Sequence, residues 1–240
     1  MKKALPFICA VVMSASFLLG ALLSLLLHFA YNPSFYVWCM RGAEVFSAGN
    51  IDEDSTAQAM RQLTHYLDGT IGEMSVFPIY VNGEAWDFPN EREAAHMTDV
   101  ARLFRLAEGV RIGCASVFAA AAIFVLIYNK RRRNGRRENA AAIGFGVSCG
   151  GLLIIALAGI VAYLASADFY SLFYRFHQLF FTNDLWLMNP AADIIIVLMP
   201  TAFFARFAGT VALAWLGFII LTIAIGFIIW KKHKPQSSSA

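Results

Sequence analysis

Two histidines are the residues of this chain best suited to moving protons, and each has a carboxylate near it in sequence. His96 is followed by Asp99. With Val100 and Leu103 these residues share one helical face at i, i+3, i+4 and i+7. His177 lies in Arg175-Phe176-His177-Gln178-Leu179-Phe180-Phe181-Thr182-Asn183-Asp184-Leu185-Trp186, an aromatic stretch that also holds a guanidinium, two amides and a carboxylate. Imidazole takes and returns a proton near neutral pH, so two imidazoles meeting at one site would suit general acid–base work. Taken singly, each histidine fits a structural role as well as a catalytic one. Arg175, Asn183, Trp186 and Arg206 are candidate donors to an oxyanion or contacts for a lipid headgroup. Phe176, Phe180 and Phe181 read as an interfacial belt. Of the other histidines, His28 and His233 read as interfacial and His65 as solvated.

The chemistry these residues lack is also informative. No Gly-x-Ser-x-Gly elbow and no serine beside a base is present, which disfavours a serine hydrolase. No P-loop, kinase or zinc pattern occurs, and Gly144, Gly146 and Gly150 follow no strand, so no nucleotide, metal or other cofactor is expected. Cys9, Cys39, Cys114 and Cys149 read as small buried apolar residues without metal spacing. Acyl transfer remains open if the substrate brings its own nucleophile; it then requires a base, an oxyanion donor and a surface that folds the substrate.

The elements that must position these groups are membrane helices. The chain is 59% hydrophobic and only 15% charged, with the charges clustered, which marks an integral membrane protein. Its four apolar runs predict four crossings: 5–30, the end of 90–128, 140–167 and 207–230. Four crossings put both termini on one side. Eleven Lys/Arg and one acid, Glu138, fall in the termini and the 129–139 loop, against eight Lys/Arg and fifteen acids elsewhere. The positive-inside rule makes the termini and that loop cytoplasmic. Residues 31–89 then form an external cap, 90 onward an external helix running into the second crossing, and 168–206 an external connector. The run Ile194 to Met199 within that connector is too short to cross. The tail 231–240 is cytoplasmic, with a polar end expected to be disordered. The N-terminal run is long for a signal peptide and reads as an uncleaved anchor.

The cap is expected to be small and α+β. Phe35-Tyr36-Val37-Trp38 reads as β-prone and interfacial. Ser55 to Leu67 reads as an amphipathic helix capped by Asp54 or Ser55, with Gly69 beyond its end. Asn82-Gly83 between β-prone runs predicts a hairpin. Asn90 and Glu93 form a capping box for the helix that carries His96. Gly146-Val147-Ser148-Cys149-Gly150 suits close packing of membrane helices.

Two segments carry a resemblance. Glu93-Ala94-Ala95-His96-Met97-Thr98-Asp99-Val100, with Leu103-Phe104, resembles the His-x-x-Asp-Val segment of the lipoprotein intramolecular transacylases. Phe176 to Pro190, then Asp193 and Pro200, resembles that family's second and more specific motif. The topology is similar across nearly the whole chain, apart from the cap. The resemblance implies a reaction on bacterial lipoproteins carrying a diacylglyceryl cysteine. The sn-2 acyl chain moves to that cysteine's α-amine and leaves a lyso form, without a cofactor. It implies that His96 and His177 are catalytic, with Asp99 and Asp184 orienting the imidazoles. Membrane lipids and the lipoprotein are the expected partners, with no nucleic acid, and the protein is expected to be a monomer in a bacterial cell membrane with its active site on the outer face.

Three other readings compete. A scaffold binding lipid or peptide would tolerate loss of both histidines. A transporter would carry internal repeats or ionisable groups deep in its helices, and neither is present. A lipid hydrolase at the same site would release free fatty acid.

Overall fold

The computed structural model describes residues 4–131 and 135–234; Lys2, Lys3, Arg132, Arg133 and the tail beyond Lys234 lie outside the described residues. Four helices are long and apolar enough to cross a bilayer: α1 (Ala4–Ala30), α5 (Glu91–Arg131), α6 (Arg136–Ala167) and α9 (Thr201–His233). Helix α5 has 41 residues, about 60 Å at the usual helical rise. That is about twice the thickness of a bilayer's hydrocarbon core. Its first half carries Arg92, Glu93, Asp99, Arg102, Arg105, Glu108 and Arg111, and its apolar stretch starts only at Ile112. The charged half, which includes His96, is thus not the part of α5 suited to hydrocarbon.

Between α1 and α5 lie α2 (Pro33–Gly42), α3 (Val45–Gly49), α4 (Glu53–Leu67) and the strands β1 (Phe77–Val81) and β2 (Glu84–Phe88). The hairpin turns at Asn82 and Gly83, both at positive φ, and pairs Phe77 with Phe88 and Val81 with Glu84 in antiparallel register. The Phe35–Trp38 segment is helical, not extended. Asn32 caps α2 by accepting from the Ser34 and Phe35 amides, and Pro33 fills its first turn, so a start signal overrides local β preference. Helix α4 starts earlier than expected, because the cap is Asp52 rather than Asp54 or Ser55. Between α6 and α9 come α7 (Phe169–Phe180) and the five-residue α8 (Ile194–Leu198), both too short to span.

The contacts divide the chain into two units. One comprises Met1–Ser24, Gly109–Tyr163 and Ala212–Ala240. In it α1, α6 and α9 approach backbone to backbone. A Cβ on Gly146 would lie 2.6 Å from the Phe7 carbonyl oxygen, and one on Gly144 would lie 2.4 Å from the Trp230 nitrogen. The Ser14 and Ser148 hydroxyls donate to the Val147 and Ile223 carbonyls, at 3.1 and 3.2 Å.

The other unit comprises Leu25–Glu108 and Leu164–Val211. Its core gathers Met40 of α2, Leu63 of α4, Ile79 of β1, Met97 of α5, Leu198 of α8 and Phe203 of α9. Both histidines singled out by the sequence belong to this unit.

Candidate active site

The start of α5 is fixed by reciprocal capping. The Asn90 amide donates to Glu93 Oε2 at 2.8 Å, and the Glu93 amide donates to Asn90 Oδ1 at 2.9 Å. Glu93 does more than cap. Its carboxylate is fully buried, and Oε1 accepts the Ile195 amide of α8 at 2.7 Å. Burial, with the Asp193 carboxylate nearby, pushes its pKa above the ordinary range against the backbone amides that lower it. The Asn90 side chain donates to Asp193 Oδ1 at 3.0 Å and to the Ala192 carbonyl at 3.1 Å. Arg92 donates to the carbonyls of Asp184 and Leu187. The residues around Asp184 to Ile195 are thereby strapped to the helix that bears His96. Replacing Glu93 by alanine leaves buried amides unpaired at about 1–3 kcal/mol each. The expected result is a clear drop in the thermal unfolding temperature in detergent, read by circular dichroism.

Helix α7 supplies the second imidazole from its last turn. Asp168 caps this helix by accepting from the Ser171 amide at 3.0 Å. His177 reaches back one turn, and its Nδ1 lies 2.9 Å from the Phe173 carbonyl oxygen. A carbonyl only accepts, so Nδ1 carries the hydrogen and Nε2 of the neutral ring keeps its lone pair. The ring is enclosed by aromatics: Phe173 at 4.3 Å, Trp186 stacked at 5.1 Å, and Phe176 and Phe181 at 5.5 Å between centroids.

His96 and His177 come together. Their ring centroids are 6.1 Å apart, with planes at 31°, and both residues are buried. Phe181 touches both rings, lying 5.2 Å from His96. It is buried and belongs to the site rather than to an interfacial belt, whereas Phe176 and Phe180 are exposed. Nδ1 of His96 is buried without a hydrogen-bond partner. Burial and the neighbouring imidazole push the His96 pKa down to about 4, against the pull of Asp99. Burial also lowers His177, partly opposed by the Phe173 carbonyl. Both rings are therefore neutral at pH 7.

The acids do not hold the imidazoles as expected. Asp99 accepts from Arg102 at 2.8 Å and from the Asn183 side-chain amide at 2.8 Å. Asn183 also accepts the Leu185 amide at 3.1 Å, so this pair fixes the turn after α7 to α5. Asp184 is exposed, and its backbone carbonyl, not its carboxylate, is what Arg92 grips. The hydrogen bond that orients His177 comes from the backbone of its own helix. Sequence reasoning missed it, because a backbone acceptor four residues back does not depend on which residue stands there.

Trp186 is at the site, against His177 and Tyr174. Arg175 is not brought to the imidazoles; it lies exposed on α7 beside Ser171 and Gln178. Arg206 is part of α9, because that helix begins at Thr201. Its guanidinium sits 3.8 Å above the Trp38 ring and is near enough to Cys39 to oppose the burial that pushes that thiol up to about 11.

A paired neutral imidazole site beside exposed aromatic surface can relay a proton between two groups of one bound molecule. Comparisons with known proteins bear on which molecule. The model of the family described as lipoprotein intramolecular transacylase Lit matches residues 11–204. The solved structure of the membrane integral lipoprotein intramolecular transacylase Lit from Bacillus cereus is similar at a TM-score of 0.67 and 18% identity, covering 94% of this chain and 95% of that one. Two structures of the same B. cereus protein, with a histidine replaced by arginine or by alanine, are similar at a TM-score of 0.66. Curated protein sequences give no match. The match across most of its length shows that this chain belongs to the lipoprotein intramolecular transacylases, a family of membrane-integral acyltransferases.

Proposed function

We propose that His177 and His96 together catalyse transfer of the sn-2 acyl chain of a diacylglyceryl-cysteine to the α-amine of the same cysteine. The 6.1 Å approach of two buried imidazoles from separate parts of the chain is the observation that carries this reading. The amine nitrogen bonds to the ester carbonyl carbon, the carbon–oxygen bond to glycerol breaks, and one proton passes from nitrogen to the glycerol oxygen. No proton is gained or lost overall, so a pair of neutral bases and donors is sufficient. Nε2 of His177 is free to take the amine proton, and the Phe173 carbonyl stabilises the imidazolium that forms. The His177 imidazolium returns that proton to the glycerol oxygen as the carbon–oxygen bond breaks, and the neutral His96 ring donates a hydrogen bond from its N–H to the same oxygen. Ester to amide is downhill, and both reactants belong to one molecule, so positioning can supply much of the acceleration. The Trp186, Phe176 and Phe181 rings offer an apolar wall for acyl chains.

On the same reading, the basic termini and the 129–139 loop are cytoplasmic, and the histidines face outward, where a mature lipoprotein displays its N-terminus. The protein acts as a monomer.

The product is an isomer of the substrate, and this provides the test. Full-length protein in detergent is incubated with a synthetic diacylglyceryl lipopeptide and followed by mass spectrometry with amine labelling. Loss of the reactive amine at constant mass supports intramolecular transfer. Loss of one acyl mass with free fatty acid would instead establish a hydrolase.

The pH dependence follows from the lowered imidazole pKa values. The acid limb of the rate near pH 8 should belong to the substrate's α-amine, whose ordinary pKa is about 7.7–8.0, and the rate should rise with pH through it. Since both imidazoles are already neutral there, no separate limb is expected at the ordinary histidine value. A lipopeptide with a less basic amine should shift the limb downward, as read in rate–pH profiles. Stability follows the same sign. Between the His96 value of about 4 and the ordinary histidine value, the unfolded chain binds more protons, so stability falls as pH drops through that window.

A further inference from the structure

A second polar group in this unit is not used by the acyl transfer. Arg206 lies in the second turn of α9 and packs against α2, away from the imidazoles. Residues three before and one after it, Phe203 and Phe207, meet Tyr36 of α2 at 5.6 and 6.2 Å, whereas Phe204 turns the other way to Phe173 and the His177 side. The place for the guanidinium is shaped in the sequence. A Cβ on Gly42 would fall 2.2 Å from Cζ, so with glycine here the guanidinium lies close against the α2 backbone. Trp38 stacks on Phe35 at 5.4 Å, and the cation lies 3.8 Å from the Trp38 ring centroid.

What the guanidinium lacks is an anion. Among the described residues no carboxylate lies within ion-pair distance of it, and its buried Nε–H has no acceptor. An arginine holds a rigid fork of donors suited to the oxygens of a phosphodiester. Its depth is appropriate too. From Arg206 to Lys231 along α9 is about 37 Å at the helical rise, more than the roughly 30 Å of hydrocarbon. With Lys231 at one interface, Arg206 reaches the headgroup layer of the opposite leaflet. Trp38, 42% exposed, is the residue type that settles at that level.

We propose that Arg206, seated on Trp38 and Gly42, binds the phosphodiester of an anionic phospholipid, of the phosphatidylglycerol class, in the outer leaflet. The indole and its aromatic neighbours take the glycerol and upper acyl region, and the guanidinium takes the phosphate. The bound lipid would join α2 of the cap to the membrane end of α9, independently of the imidazole pair.

The test is native mass spectrometry of the full-length protein in detergent, titrated with phosphatidylglycerol, with phosphatidylcholine, or with soluble sn-glycerol 1-phosphate. The wild type should retain one phosphatidylglycerol in preference to phosphatidylcholine, with glycerol phosphate failing to displace it. Arg206→Gln should bind that lipid about 10- to 100-fold more weakly, the range expected for a charge-assisted hydrogen-bonded contact. Arg206→Lys should fall between, because the charge stays but the fork is lost. Trp38→Leu should weaken binding with the guanidinium intact, and it keeps the test valid if Arg206→Gln unfolds. Circular dichroism melting establishes which variants are folded. Wild-type affinity in folded Arg206→Gln or Trp38→Leu would overturn the proposal, as would equal binding of the two lipids. Full displacement by glycerol phosphate would also overturn it, since the site would then take free phosphate and not a lipid.

Discussion

His177→Ala should lower the rate of lyso-lipoprotein formation by about 10²- to 10⁴-fold, the usual contribution of a positioned general base. The loss belongs in the chemical step, because the aromatic rings proposed to bind acyl chains survive the truncation. Lipopeptide binding, measured with the purified variant, should change far less than the rate. His177→Gln is the sharper variant. It nearly preserves volume among Phe173, Phe181 and Trp186 but cannot take a proton, so it should be as slow as the alanine variant. A glutamine variant with near wild-type rate would remove His177 from proton transfer.

His96→Ala should have an effect of similar size for a different reason. Burial and the adjacent ring push the His96 pKa down to about 4, which fits the proposed role of donor better than that of base. On the proposed mechanism it is the donor toward the leaving oxygen. A substrate with a better leaving group in place of the glycerol oxygen needs that donor less, so it should recover rate in His96→Ala but not in His177→Ala. The double variant should be little slower than either single variant, as for residues that act as one unit. Multiplicative losses would mean that the two rings work independently. Either outcome is read from single-turnover rates by mass spectrometry.

Much of the local structure could be read from residues with one strong preference. Asn82-Gly83 had to turn a hairpin, and Asn90 with Glu93 had to start a helix; both do. Segment 35–38 is helical against its local preference: its aromatic side chains favour a strand, while the decisive signal, Asn32-Pro33, lies just before it. The site was legible as two histidines but not as a network. Spacing suggested that Asp99 would serve His96 one turn away. In the fold Asp99 is drawn to Asn183, 84 residues on, a long-range partner that no local pattern announces. Glu93 was legible as a cap, but not as the buried acceptor for α8. The Phe173 carbonyl is backbone, and backbone acceptors leave no mark on residue identity.

In the proposed reaction one lipoprotein molecule supplies both the amine and the ester, while the protein contributes a proton-passing imidazole pair. A crossover experiment addresses it most directly. Two lipopeptides of different sequence, one with deuterated and one with ordinary acyl chains, are mixed with the full-length protein, and the N-acylated products are sequenced by tandem mass spectrometry. Every peptide should keep its own acyl label, and His177→Gln should yield neither product. Deuterated chains appearing on the other peptide's amine, or undiminished product from the variant, would contradict it.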